Sequence, residues 1–382
     1  MRDAVIVDAV RTPIGRRRGS LCEVHPVDLS ALVLSSLVAR NGFDPTHVED
    51  VIWGCVSQIA DQSSNVGRLA VLAAGWPESI PGTTVDRACG SSQQALHFAA
   101  AGVISGQYDM VIAGGVESMS RVPIGAARAM GEPYGPAVRA RYGVTSFSQG
   151  EGAETIAERW GLDRQMLDEF SLLSHQRAAA AWDSGAFESQ ITPVPTADGV
   201  FAVDEGIRRQ TTLDKLSSLK PAFRDDGVIH AGNASQISDG AAALLVTTPE
   251  RAAELGLTPM ARIHTAVVVG DDPVTMLTAP IPATARALAR ADLPISDIGA
   301  FEVNEAFASV PLAWLAETGA DPQRLNPLGG AIAVGHPLGA SGAILMTRLV
   351  HHLRAEGLRY GLQAMCEAGG MANATIIESL DS

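Results

Sequence analysis

The sequence predicts an α/β fold built from two similar halves around an inserted lobe, on three observations. Hydrophobic residues make up 46% of the 382 positions but aromatics only 5%, and the 38 glycines favour close helix-to-sheet packing over an aromatic-rich sandwich. Apolar runs of strand length alternate with segments of helical apolar spacing. A strand, sharp turn, helix, strand unit around Cys89 has a counterpart around Ser341. The length also exceeds the roughly 100 to 200 residues usual for one domain, so two or three domains are expected.

The elements follow in order. Val5 to Val7 reads as a short strand, and after the Pro26 break Asp28 to Arg40 has helical spacing. Val48 to Cys55 reads as a strand, and Asn65 to Ala74 as a helix stopped by Gly75-Trp76-Pro77. The β-prone Gly82 to Val85 leads through Asp86-Arg87-Ala88-Cys89-Gly90 into a helix from Ser91 to Ser105, and Tyr108 to Ala113 is an apolar strand ending at Gly114-Gly115. From about Ser118 to Asp239 the rhythm is lost. This inserted lobe holds one clear helix pair, Glu154 to Trp160 and Arg164 to Ser184. Ala241 to Val246 resumes the strand pattern, and Arg262 to Val269 opens the second half. There the β-prone run Gly329 to Leu338 leads through Gly339-Ala340-Ser341-Gly342 into a helix from Ala343 to Ala355, and Tyr360 to Cys366 is a strand ending at Gly369-Gly370. The expected division is 1–118 with about 240–261, then 119–239, then 262–382.

Composition excludes several classes. A net charge of −14 works against binding a phosphate backbone, so no nucleic-acid partner is expected. A small polyanion would need a few local arginines or lysines. The apolar run Ala4 to Val7 stops at Asp8, too short for a signal-peptide core of ~7 to 15 residues. The uncharged stretch 88–108 carries Ser91, Ser92, Gln93, Gln94 and His97, a poor membrane span and a good buried helix. Cys22, Cys55, Cys89 and Cys366 are far apart and show no CxxC spacing, which fits a reduced, cytoplasmic setting.

Four positions carry candidate chemistry. A free cysteine is only about 3% thiolate at pH 7, and lowering its pKa towards 7 raises that fraction roughly fifteenfold. Cys89 sits just before a helix, where unpaired N–H groups and the helix dipole favour an anion. A core cysteine at a tight turn is the competing reading, at even odds on position alone. His336, between a β-prone run and a Gly-rich helix start, would face Cys89 across the two halves and act as base; lone loop histidines are more often structural. Cys366 closes the last long strand beside a Gly-rich loop. Asn304 follows the apolar Ile298 to Val303 and opens a helix, with capping as its default role. A metal centre would have only Cys366, His336 and the divergent His351-His352 pair as ligands, and is not expected.

Together, Asp86-Arg87-Ala88-Cys89-Gly90-Ser91-Ser92, Asn304-Glu305-Ala306-Phe307, Gly335-His336-Pro337-Leu338-Gly339 and Cys366-Glu367-Ala368-Gly369-Gly370 resemble the four signature blocks of thiolases, in order and spacing over nearly the whole chain. Gly114 to Ser120 and Ala231-Gly232-Asn233-Ala234-Ser235 match as well. The resemblance implies a five-layer αβαβα fold of two similar halves, with the inserted loop domain covering coenzyme A. It implies a ping-pong cleavage of 3-ketoacyl-CoA. His336 deprotonates Cys89, Cys89 takes the acyl group, and Cys366 protonates the departing enolate and then deprotonates incoming CoA. Asn304, through a water, and His336 would hold the enolate oxygen; the N–H groups of Cys89 and Ala368 would hold the acyl-enzyme oxygen. Arg208 is carried to the nucleotide end of CoA and Phe223 and Ser235 to the pantetheine, with Ala231 and Phe307 as further CoA contacts.

Coenzyme A is thus a co-substrate, with no permanently bound cofactor, and a homodimer or homotetramer is implied. Two departures stand out. Ala368 replaces a common Gly, which would cost ~1 kcal/mol or more if that position needs a positive φ. Ser148-Gln149 stands where acetoacetyl-CoA-forming thiolases usually have His-Met, which favours a degradative enzyme of β-oxidation or sterol-type breakdown. The alternatives are a biosynthetic thiolase, a condensing enzyme with a Cys-His-His set, and a non-catalytic CoA-ester or lipid carrier; Cys366 and the complete reactive set argue against the last two.

Overall fold

The computed structural model describes residues 2–380. The principal strands are β1 (Val5–Arg11), β2 (Asp50–Gly54), β3 (Thr83–Val85), β4 (Met110–Ser118), β5 (Ser238–Thr247), β6 (Ala261–Gly270), β7 (Ile298–Val303), β8 (Tyr360–Glu367) and β9 (Met371–Ser379). Eight helices frame them: α1 (Pro26–Asn41), α2 (Val66–Ala73), α3 (Ser91–Ser105), α4 (Gln149–Arg159), α5 (Arg164–Asp183), α6 (Pro280–Ala291), α7 (Ser309–Thr318) and α8 (Leu338–Glu356).

The strands run β7-β8-β9-β6-β1-β5-β4-β2-β3 across one sheet. Each half has the same internal plan. In the first, β2 is parallel to β3 and β4, while β5 is antiparallel to β4 and β1. In the second, β7 and β8 are parallel and β9 is antiparallel to β8 and β6. The counterpart of β3 is reduced to a single parallel bridge, Phe301 to Leu325. The halves meet where Val5 and Ile6 of β1 pair with Arg262 and Ala261 of β6.

Packing sorts these elements into layers. Helices α3 and α8 lie against each other, and their apolar faces join strands of both halves in one core that includes Leu96, Ala113, Leu244, Ile263, Ala300 and Ile344. Helices α1 and α2 cover the outer face of the first half around Trp53, and α6 covers that of the second around Phe301 and Ile376. The result is the expected αβαβα arrangement.

Glycine explains how closely the two central helices meet. A Cβ on Gly54 would lie 2.7 Å from the Gly339 carbonyl oxygen, and one on Gly342 would lie 2.7 Å from the Gln93 Cβ. Ser92 Oγ accepts the Ala343 N–H at 2.9 Å across the same contact. The amino-terminal ends of α3 and α8, which follow Cys89 and His336, are therefore brought together by small residues.

Several boundaries differ from the sequence reading. Strand β4 continues through Gly114-Gly115 to Ser118. Helix α8 begins at Leu338, five residues early, because Gly339 and Gly342 are needed inside it for the close contact. The β-prone Ala331–Val334 is a turn of helix whose carbonyls at Ile332 and Ala333 accept hydrogen bonds from Gln236 Nε2. Asn304 caps nothing: α7 starts at Ser309, and the residues before it are bound instead to the loop lobe, with Ser235 N–H donating to Ala306 O and Ala308 N–H to Asn233 O, each at 2.9 Å.

Candidate active site

The turn that presents Cys89 is built by its own neighbours. Asp86 accepts the Ala88 N–H at 2.7 Å, Arg87 N–H donates to Ser91 Oγ at 2.9 Å, and that hydroxyl donates to Ala88 O at 2.6 Å. Ala88 is held at φ 46°, a left-handed conformation unfavourable for a residue with a Cβ and typical of strained functional turns. Cys89 itself stands one residue before the Gly90 cap of α3.

Burial reverses the expected effect on its acidity. Desolvation, reinforced by the nearby Glu367 carboxyl, pushes the Cys89 thiol up to about 12, and its backbone N–H only partly offsets this. The helix start does not make a resting thiolate, so a base must remove the proton. Burial also raises the thiol of Cys366, at the end of β8, well above its ordinary range, with Cys89 close enough to add to the effect.

The tautomer of His336 follows from its partners. Ser341 Oγ donates its proton to Pro337 O at 2.8 Å, so the 2.6 Å contact between that oxygen and His336 Nδ1 requires Nδ1 to carry the hydrogen. Nε2 is then an unprotonated lone pair, 3.3 Å from the Asn304 amide nitrogen, which donates to it. Burial lowers the imidazole to about 4, keeping it neutral. The His336 backbone is fixed by donation to Gln236 O and Ser238 Oγ, both at 3.2 Å, after Gly335 turns at φ 113°. Asn304 Oδ1 is buried with no hydrogen-bond partner among the described residues, and so retains an acceptor for a water or substrate group.

A single carboxylate locks the two halves of the site. Glu117, at the end of β4, accepts the Val56 N–H (2.9 Å), Ser57 N–H (3.1 Å), Gln62 Nε2 (2.7 Å) and Gly339 N–H (2.9 Å). The last of these is a free donor of the first turn of α8, the helix that follows His336. The sequence reading assigns no role to Glu117 or Ser341: the partners of Glu117 are 55 to 222 residues away, and Ser341, five residues after His336, reads as part of a Gly-rich helix start.

Two adjoining cavities meet here. One of about 350 Å³ is lined by Cys89, Arg87, Arg128, Gln149 and Ala368, among others. The second, about 570 Å³, is lined by His336, Phe223, Ser235, Phe307 and Ala306. Ile124, Gly125, Arg128, Gln149, Leu338 and Ala368 border both, so the cavities form one path between Cys89 and the loop lobe. Phe223 and Phe307 meet edge to face at 5.9 Å on its wall. Arg208 and Ala231 are exposed and line neither cavity. Ala368 does not adopt a positive φ; Gly369 (φ 87°) and Gly370 (φ 75°) take the turn, and the anticipated strain is not incurred.

A separate cleft of about 820 Å³ between α1, β1 and α8 has no cysteine in its lining; Asp8 there is bound by Arg40 and Asn41, and His351 by Ser189 and the Ala9 carbonyl. Among the described residues, no group of three or more His, Cys, Asp or Glu is arranged to hold a metal ion. None of the helices described is long and apolar enough to cross a membrane.

Comparison with known proteins agrees with this geometry. The family described as Thiolase, N-terminal domain matches residues 4–250, and Thiolase, C-terminal domain matches 257–379. The chain is 50% identical over 388 residues to a protein named steroid 3-ketoacyl-CoA thiolase FadA6 from Mycobacterium tuberculosis, covering 100% of this chain and 95% of that one. It is 44% identical over 389 residues to a 3-ketoacyl-CoA thiolase from Pectobacterium carotovorum, covering 99% and 100%. A crystal structure of the Bacillus anthracis acetyl-CoA acetyltransferase superposes with a TM-score of 0.92 at 39% identity, covering 100% of this chain and 99% of that one. The chain belongs to the thiolase family of acyltransferases.

Proposed function

We propose that this chain cleaves 3-ketoacyl-CoA with CoA, giving acetyl-CoA and a shortened acyl-CoA, through a thioester on Cys89. The observation that carries the reading is the lone pair of His336 Nε2, fixed by Ser341 and Asn304 on a path that continues to Cys89. His336 takes the Cys89 proton, and the thiolate attacks the keto carbon. Collapse of the adduct breaks the bond between C2 and C3, leaving acyl-Cys89 and an acetyl-CoA enolate that Cys366 protonates. Cys366, now a thiolate, deprotonates the second CoA, whose sulfur takes the acyl group; Cys89 leaves as a thiolate and recovers its proton from His336.

Asn304, through a water held on its Oδ1, and His336 hold the enolate oxygen, and the N–H groups of Cys89 and Ala368 the thioester oxygen. Phe223 and Ser235 receive the pantetheine with Phe307 on the same cavity wall, and the exposed Arg208 takes the nucleotide end. Residues 119–239 act as the lobe that covers CoA. Reversible condensation to acetoacetyl-CoA is the second direction of the same chemistry.

The acyl group is larger than acetyl in this proposal. Gln149, in place of a more obstructive His-Met pair, borders both cavities, and the cavity beyond Cys89 adds about 350 Å³. The similarity to the steroid-named relative supports a bulky or sterol-derived chain. The working form is a cytoplasmic homodimer or homotetramer. The test is kcat/KM for thiolysis across acetoacetyl-CoA, longer straight chains and a sterol side-chain ester. Rising values with bulk are expected. No turnover with any of them, alongside tight CoA-ester binding, would establish a carrier instead.

A further inference from the structure

Behind the two cysteines lies a carboxyl that the reaction scheme does not use. Glu367 follows Cys366 at the end of β8, is fully buried, and has no hydrogen-bond partner for either oxygen among the described residues. Its Oε1 lies so close to the Gly90 backbone that a Cβ at position 90 would collide with it. The carboxyl therefore bears directly on the turn that presents Cys89. The Arg87 Nε is buried beside this turn, also without a partner, and its Nη1 reaches only Met371 Sδ at 3.9 Å.

We propose that Glu367 is a positioning residue for both cysteines, supporting the Gly90 turn as a neutral carboxyl and opposing thiolate formation when it ionises. The inference rests on the assignment of Cys89 as nucleophile. An isolated buried carboxylate without hydrogen bonds is strongly disfavoured, so the unpartnered oxygens themselves favour the protonated form. A negative charge here would act on Cys89 and Cys366 together, since both thiols feel it.

The charged and titratable surroundings are Asp86 and Arg87 before α3, Cys89 at its start, His97 on α3, Cys366 on β8 and Glu117 on β4. Arg87 alone favours ionised Glu367 among these, helped by the Asn373 backbone N–H on β9, which faces the carboxyl without making a hydrogen bond. Burial outweighs both, holding the carboxyl up to about 8.

The test reads the Cys89 thiol without turnover, so it stands whether or not the acyl substrate is identified. Iodoacetamide modification of the Cys89 peptide is followed by mass spectrometry between pH 7 and pH 9.5, in the full-length protein and in Glu367→Gln. Thiolate formation rises with pH in both, but ionisation of Glu367 flattens the rise only in the parent. The ratio of rates at the two ends should be ~tenfold larger in the variant, the equivalent of about one pK unit on the thiol. Equal ratios in two folded proteins overturn the proposal, because a purely structural carboxyl would not change the profile. If Glu367→Gln does not fold, Arg87→Gln decides: without the cation the flattening moves to higher pH, and a break that stays in place or moves lower overturns it. Modification of Cys89 with a normal profile but no acyl transfer would instead count against the proposed reaction alone.

Discussion

Ser341→Ala tests the origin of the base. The hydroxyl removed accepts from His336 Nδ1 at 2.6 Å, and both residues are about 4% exposed, so water does not readily replace it. Leaving a buried donor unpaired costs about 1 to 3 kcal/mol. The imidazole can avoid that cost by moving its proton to Nε2, where it no longer removes the Cys89 proton. If the whole penalty appears in the acylation barrier, the rate falls between about fivefold and about 150-fold, at tenfold per 1.4 kcal/mol. The proposed CoA contacts, Phe223 and Ser235, lie elsewhere on the cavity wall, so KM should change far less than kcat. Rapid-quench measurement of acyl-enzyme formation, with CoA omitted, isolates the step. A change below threefold, or a loss matched by global unfolding, would refute the tautomer argument.

Other outcomes follow from the same contacts. Glu117→Ala orphans four buried donors and should lower stability by about 3 to 5 kcal/mol, with Glu117→Gln losing less, as read from denaturant midpoints. Gly342→Ala should destabilise by about 1 to 3 kcal/mol by forcing α8 off Gln93, a shift that thermal unfolding would detect. His97 is lowered to about 3 by burial, so its contribution is complete above the ordinary histidine value of 6.5 and is lost as pH falls towards 3. His97→Gln should therefore be less stable than the parent at pH 7 and close the gap on acidification; a constant difference in thermal midpoint would contradict that sign.

Much of the site is legible in the sequence because its reactive residues sit in short contiguous motifs. Cys89, His336 and Asn304 are placed on or beside one connected cavity, with Cys366 next to Cys89. The failures share a cause, which is that distant partners override local signals. Asn304 looks like a cap until the pairing of 306–308 with 233–235 delays the helix to Ser309. Gly339 and Gly342 look like breakers until Glu117 and Gln93 are seen pressed against them. The same holds for acidity: the helix start favours a Cys89 thiolate, but complete burial beside Glu367 outweighs it. Glu117 and Glu367 have no readable role because Gly339 and Gly90 are brought to them only by the fold, whereas Ser341 is only five residues from His336 and needs the helix start at Leu338 to turn its hydroxyl back onto the ring.

The account centres on Cys89 as the residue that carries the acyl group after His336 takes its proton. The most direct measurement is intact-protein and peptide mass spectrometry of enzyme quenched after mixing with a 3-ketoacyl-CoA in the absence of free CoA. The predicted result is one added acyl group per chain on the Cys89 peptide, discharged on adding CoA and missing in Cys89→Ser. An acyl group on Cys366 or Cys22, or turnover that persists in folded Cys89→Ser, would contradict it.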